Sequence, residues 1–332
     1  MELREGATGL MRQSIAPSTQ AVYGSAINAY IKYCLLEVPK YSTPKLGLPP
    51  VSEEILITFA THCFTTLNVQ HSTIKLYKSG IRFHYLLDGH SQLDFANMHR
   101  LQILLRGIKR NSTPVVRPRH PITGDILKAL CKKLDAGLFG RFTDVMLKTV
   151  YITAFFGFLR CGEFTCLEKF EPESNLCVSD LELQENPVSL HLKQSKTDPF
   201  RKGMNIQLFC NGSAICPQCQ LKHYMEVRRV LVPISSCREP LFVTQQGSPL
   251  SRTIFLDFLK HTFQATNIPH ENFSGHSFRI GAATSASATS LIGDHMIKTL
   301  GRWNSDSYCR YIRTPMSAIH QAQIQLASTC FQ

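Results

Sequence analysis

A chain of 332 residues is long enough for two domains of ordinary size, each with its own core. Its 36 Lys and Arg against 24 Asp and Glu give a formal charge of +12, which suits a polyanionic partner, nucleic acid first, and as readily a solvated basic surface, so motifs must decide. The first 17 residues lack the apolar core of a signal peptide, no stretch is long and uncharged enough to span a bilayer, and the 12 cysteines lack the spacing of a secreted scaffold. A soluble intracellular protein with free thiols and no membrane partner is expected.

In chain order, Tyr23, Ile27, Tyr30, Ile31 and Cys34 share one helical face, with Ser18 as the N-cap. The proline-containing stretch Tyr41 to Pro50 reads as a loop, and Val51 to Leu67, Ser72 to Leu87 and Phe95 to Lys109 again show helical spacing. Residues 1–112 therefore read as a small helical bundle with Lys75, Lys78, Arg82 and Lys109 in its later helices as candidate phosphate contacts. Residues 113–122, rich in proline and carrying Arg117 and Arg119, read as a linker that can lie along a DNA backbone.

Residues 123–332 form the second domain. A helix capped by Thr123 ends near Gly137, and a strongly apolar helix runs from Thr143 to Phe158. Val188, Leu190 and Leu192, then Met204, Ile206 and Leu208, alternate with polar residues on either side of a turn, which predicts a β-hairpin. Helices follow over Pro217 to Val230, Arg252 to Ala265, His276 to Ala288 and Met296 to Leu300. After Pro315, the spacing of Met316, Ile319, Ala322 and Leu326 predicts a tail helix. The fold class is mainly α with a small antiparallel sheet.

His276 and Arg279 lie three apart at a helix start, so both cationic groups share a face. Arg160 closes the apolar helix, where an unpaired guanidinium needs a partner or a task. Beyond them stand Trp303, Tyr308 and Tyr311. Taken in order, Leu159-Arg160-Cys161-Gly162-Glu163, the hairpin lysine Lys196, Gly275-His276-Ser277-Phe278-Arg279, Leu300-Gly301-Arg302-Trp303 and Tyr311-Ile312-Arg313 resemble the tyrosine recombinases of the phage-integrase class. The ending is similar to Crypton-type recombinases of eukaryotic mobile elements.

The resemblance implies a core-binding bundle, a catalytic domain and a nuclear enzyme that cleaves and religates DNA strands through a 3′-phosphotyrosyl intermediate. Arg160 and Arg279 would neutralise the charge that develops on the non-bridging oxygens, which planar guanidinium forks do better than ammonium groups. His276 and Trp303 would donate to the same oxygens, Lys196 would protonate the leaving 5′ oxygen, and Tyr311 would attack. Glu163 would orient the site without transferring protons. The Trp303-to-Tyr311 spacing is one residue short of the family's usual spacing, so Tyr308 stands as the alternative nucleophile; Lys193 and Lys202 are the alternatives to Lys196. The partners implied are double-stranded DNA and further copies of the chain, a tetramer on DNA, with no cofactor.

Cys210, Cys216, Cys219 and His223 offer four ligands at zinc-site spacing, but the reading adopted is of buried thiols at a helix start and no metal. No clustering of acidic residues proposes a two-metal integrase. The competing function is a domesticated mobile-element protein that binds DNA without strand exchange.

Overall fold

The computed structural model describes residues 2–37, 47–90, 94–112, 119–195, 198, 200–289, 291–310, 312 and 316–330. The chain divides into two compact units, Met1–Val116 and Arg117–Gln332.

The first unit is helical: α1 (Glu2–Gln13), α2 (Pro17–Glu37), α3 (Glu53–Thr65), α4 (His71–Leu87) and α5 (His99–Asn111). The spacing on α2 does what the sequence implies, since Ile27, Tyr30 and Cys34 are buried with Phe59, Ile81 and Tyr85 in one core. The buried Tyr30 hydroxyl donates to the Pro50 carbonyl at 2.8 Å, and that of Tyr85 to Pro49. Two expectations are corrected. Ser18 is not the cap, because α2 already begins at Pro17, whose fixed φ and missing N–H suit a first helical position. The expected start at Phe95 moves to His99, because the Asp94 carboxylate holds the Ala96 N–H at 2.8 Å and the Asn97 amide at 2.6 Å in a turn. Helix α1 had no counterpart among the sequence expectations.

The second unit holds α6 (Gly124–Asp135), α7 (Arg141–Phe156), α8 (Cys161–Phe164), β1 (Leu181–Glu182), β2 (Val188–Leu192), β3 (Met204–Leu208), α9 (Pro217–Leu231), α10 (Arg252–Ala265), α11 (Ser277–Ser287), α12 (Asp294–Leu300) and α13 (Met316–Cys330). The sheet is antiparallel in the order β1-β2-β3, and Val188 pairs with Leu208 and Leu192 with Met204. The hairpin is as the alternation predicts, and its connection spans 193–203. Thr123 sits at the N-cap of α6 but its side chain makes no capping bond.

Helix α7 is apolar nearly all round and forms the centre of the core, packed against α6, α9 and α11. It stops two residues earlier than its apolar run suggests. Gly157 caps it and Phe158 turns into the left-handed region at φ +49°. A bulky residue is rarely held there without a local reason, and the next section supplies one.

Candidate active site

The turn after α7 aims its carbonyls at arginines. The Phe158 carbonyl accepts from Nη1 of Arg279 and from Nη2 of Arg302 at 3.2 Å, while the Gly157 carbonyl accepts from Nη1 of Arg302 at 2.8 Å. Arg302 is itself left-handed, at φ +56°. Two strained residues thus face each other across one hydrogen-bonded junction.

Arg160 is the N-cap residue of α8, and its guanidinium is not unpaired as the sequence suggested. Glu163 accepts from the Arg160 backbone N–H at 2.8 Å and from its Nη1 at 2.8 Å, and from Nη2 of Arg302 at 2.7 Å. One buried carboxylate therefore spans two arginines, which neutralises part of their charge and fixes their planes. Arg302 is a partner of Glu163 that sequence reasoning missed.

Gly275 explains how α11 reaches this place. A Cβ there would fall 2.6 Å from both Cβ and Sγ of Cys161, so only glycine lets the start of α11 touch the start of α8. His276 follows as the N-cap residue, half-buried, and its Nδ1 is buried with no hydrogen-bond partner among the described residues. Burial first, then the positive charges of Arg119, Arg252, Arg160 and Arg279, hold His276 below the ordinary histidine value. The charges of four arginines, drawn from separate parts of the chain, thus bear on this imidazole. Arg119 was expected as a linker contact. Arg252, at the start of α10, was not foreseen; the Cys166–Ser251 bridge draws it here, through the Arg252 N–H donating to the Cys166 carbonyl at 2.8 Å.

Arg279 is fully buried. Its two terminal nitrogens donate to the carbonyls of Phe158 and Gly301, and its guanidinium lies 4.3 Å from the centroid of the Trp303 ring. Trp303 in turn packs edge-on to Phe158 at 6.2 Å and beside Tyr308 at 6.1 Å. The Tyr308 side chain is buried, and its hydroxyl is pushed up to about 12 by burial and by Cys309 and Asp294 beside it.

Tyr311 and Lys196 lie outside the described residues, as does Arg117. Of the alternatives to Lys196, Lys193 is committed elsewhere, 2.6 Å from the Asp180 carboxylate and donating to the carbonyls of Pro172 at 2.6 Å and Asn175 at 3.1 Å. Burial alone would lower its ammonium, but Asp180 and Cys177 reverse this and hold it above the usual lysine value. Lys202 is exposed.

In the first unit, Lys75, Lys78 and Arg82 follow one face of α4, and Lys75 and Lys109 both bear on His71. Burial and then Lys75 and Arg82 lower the Lys78 ammonium, the mark of a crowded cationic face.

The four-ligand reading of the cysteine motif needs correction. Cys210, Cys216 and Cys219 cluster with their sulfurs within 4.8 Å of one another, yet Cys210 and Cys219 are exposed and not buried thiols. His223 stands one turn beyond Cys219 on the same face of α9, yet its ring is not among the clustered ligand atoms: it lines a cavity with Asp144 and Lys148, and its Nδ1 lies 4.0 Å from Glu226.

No protein-family model matches the chain. No curated protein matches it either. Solved structures do. The XerH site-specific recombinase bound to a palindromic difH substrate in a post-cleavage complex superposes with a TM-score of 0.60 at 15% identity, over 92% of this chain and 78% of that one. A variant of the Tn1549 transposon integrase with a circular intermediate DNA gives 0.58 at 11% identity, over 90% and 99%. A lambda integrase fragment, a dimer bound to a COC′ core site, gives 0.55 at 14% identity, over 90% and 89%. The fold is that of the tyrosine recombinases.

Proposed function

We propose that the chain is a DNA-breaking and rejoining enzyme of the tyrosine-recombinase class, acting at specific sites, and that its ancestry is of the Crypton type of mobile element. The observation that carries this reading is the packing of the start of α11 on the start of α8, which brings His276 and Arg279 to Arg160, with the positive charges of Arg119 and Arg252 also bearing on the half-buried His276. A site so positive, with few described carboxylates beyond the clamped Glu163, is built for a phosphate.

In this reading the arginines hold the scissile phosphate and offset the charge that develops on it. His276 donates to a non-bridging oxygen, the Tyr311 hydroxyl attacks phosphorus, and Lys196 protonates the departing 5′ oxygen. The bond to Tyr311 forms as the bond to the 5′ oxygen breaks, so a second attack by a 5′ hydroxyl restores the backbone without a nucleotide cofactor. The fixed arginine charge does the work that divalent ions do in other phosphoryl-transfer sites. Lys75, Lys78, Arg82 and Lys109 of the first unit, with Arg117 and Arg119, bind the flanking backbone, and copies of the chain assemble in the nucleus as a tetramer on paired sites. The test is product chemistry: with no added divalent metal ion, a cleaved cognate strand should carry a free 5′ hydroxyl and a protein-linked 3′ end. A 5′ phosphate on the product would refute the mechanism.

One observation favours a second reading, DNA binding without cleavage. Arg279 is sealed from solvent, with both terminal nitrogens turned to main-chain carbonyls and its face on Trp303. An arginine that stays in this position is structural.

A further inference from the structure

We propose that Cys210, Cys216 and Cys219 bind a single zinc ion that clips the end of β3 to the start of α9, with the fourth position open to solvent. The site is separate from the phosphate-binding centre and does not depend on the function proposed above.

Zinc bonded to thiolates at about 2.3 Å in a tetrahedron sets its sulfurs about 3.8 Å apart. The Cys210 and Cys216 sulfurs are 3.8 Å apart, those of Cys210 and Cys219 are 4.0 Å apart, and all three lie within 4.8 Å of one another. Three thiols have little reason to gather at a surface for packing, since two of them are exposed and gain little from burial.

Local structure fixes each ligand. Cys216 is the N-cap residue of α9, and Pro217 at the first helical position sets the chain direction there. Cys219, three residues on, falls on the same side of that first turn. Cys210, two residues beyond β3, is held by its backbone N–H donating to the Asn186 side-chain oxygen at 3.2 Å. The His223 ring, one turn beyond Cys219, is not among the clustered ligand atoms and has its Nδ1 4.0 Å from Glu226, so a water molecule completes the tetrahedron. The ion would close the 211–215 loop and fix the end of the hairpin opposite its 193–203 connection.

The full chain, prepared anaerobically under reducing conditions and stripped of metal by a chelator, should be titrated with Co²⁺. A thiolate-to-cobalt charge-transfer band in the near ultraviolet should grow to saturation at about one equivalent per chain, and Zn²⁺ should abolish it. Cys210→Ser and Cys219→Ser, at exposed positions outside the core, should each weaken cobalt binding by roughly tenfold or more. His223→Ala should leave the titration unchanged. Absence of the band, its survival in both cysteine variants, or a disulfide among the three cysteines in the reduced preparation would overturn the site. Loss of the band in His223→Ala would overturn the solvent-facing fourth position.

Discussion

His276 shows what a single residue contributes. Its burial and the surrounding Arg119, Arg252, Arg160 and Arg279 keep it neutral around pH 7 in the unliganded protein. Its contribution to stability is therefore fully present above the unfolded value of about 6.5, and is lost as the pH falls through the lower folded value. A bound phosphate reverses the sign of the local field and favours the imidazolium. DNA affinity should thus strengthen as the pH falls from about 7.5 to about 6, with uptake of a proton on binding. His276→Gln should bind with a flat pH profile by fluorescence anisotropy; a flat profile in the wild type would count against phosphate contact. Glu163 supports a second expectation at this scale. Glu163→Gln leaves Arg160 and Arg302 without their shared carboxylate, and should lower stability to denaturant by about 3 kcal/mol. A loss under about 1 kcal/mol would mean that solvent, not Glu163, satisfies the arginines.

At the scale of elements, the approach of residues 119–122 to α11 decides where Arg119 goes. The N–H groups of His120 and Ile122 donate to the carbonyls of Asn272 at 2.8 Å and Ser277 at 2.9 Å. This places the Ile122 carbonyl where a Cβ on Gly281 would meet it at 1.7 Å. Gly281→Ala should cost at least about 2 kcal/mol and push the Arg119 segment off the helix, seen as faster amide exchange at His120 and Ile122. Unchanged exchange would show that the segment does not need this contact. Most of the elements were legible in the sequence because their signal is local: α2, α4 and the hairpin follow from apolar spacing alone. What escaped is what depends on distant contacts. Arg252 reaches His276 only because Ser251 bridges Cys166, 85 positions earlier in the chain, and no periodicity encodes that. Likewise, Arg302 sits beside Trp303 in the sequence, but its role becomes visible only when Glu163 and the Phe158 turn meet it.

For the whole molecule, the proposed function has both units meet phosphates. Alanine at Lys75, Lys78 and Arg82 together should weaken binding to any duplex alike and reduce the slope of log affinity against log salt by about 2 to 3. An unchanged slope would confine the interface to the second unit. The tail helix α13 leaves Ile319, Ile324 and Leu326 exposed, and the assembly reading has it dock on a neighbouring copy. Truncation after Thr314 should abolish cooperative assembly on paired sites and spare single-site binding, as read by gel mobility; cooperative complexes in the truncated chain would refute that. That the segments of Arg160, His276 and Arg279 lie together was legible at this scale from the motif order, since Gly275 packs on Cys161. The state of Arg279, buried on Trp303, was not, because side-chain burial is set by packing that no motif records.

The central claim is that Tyr311 becomes joined to DNA, and covalent capture tests it most directly. On a nicked cognate site that loses its 5′ fragment on cleavage, the wild type should accumulate an SDS-resistant adduct. Tyr308→Phe should still form it and Tyr311→Phe should not. Adduct in Tyr311→Phe but not in Tyr308→Phe would move the nucleophile, and no adduct from the wild type on a site it binds would contradict the enzymatic account.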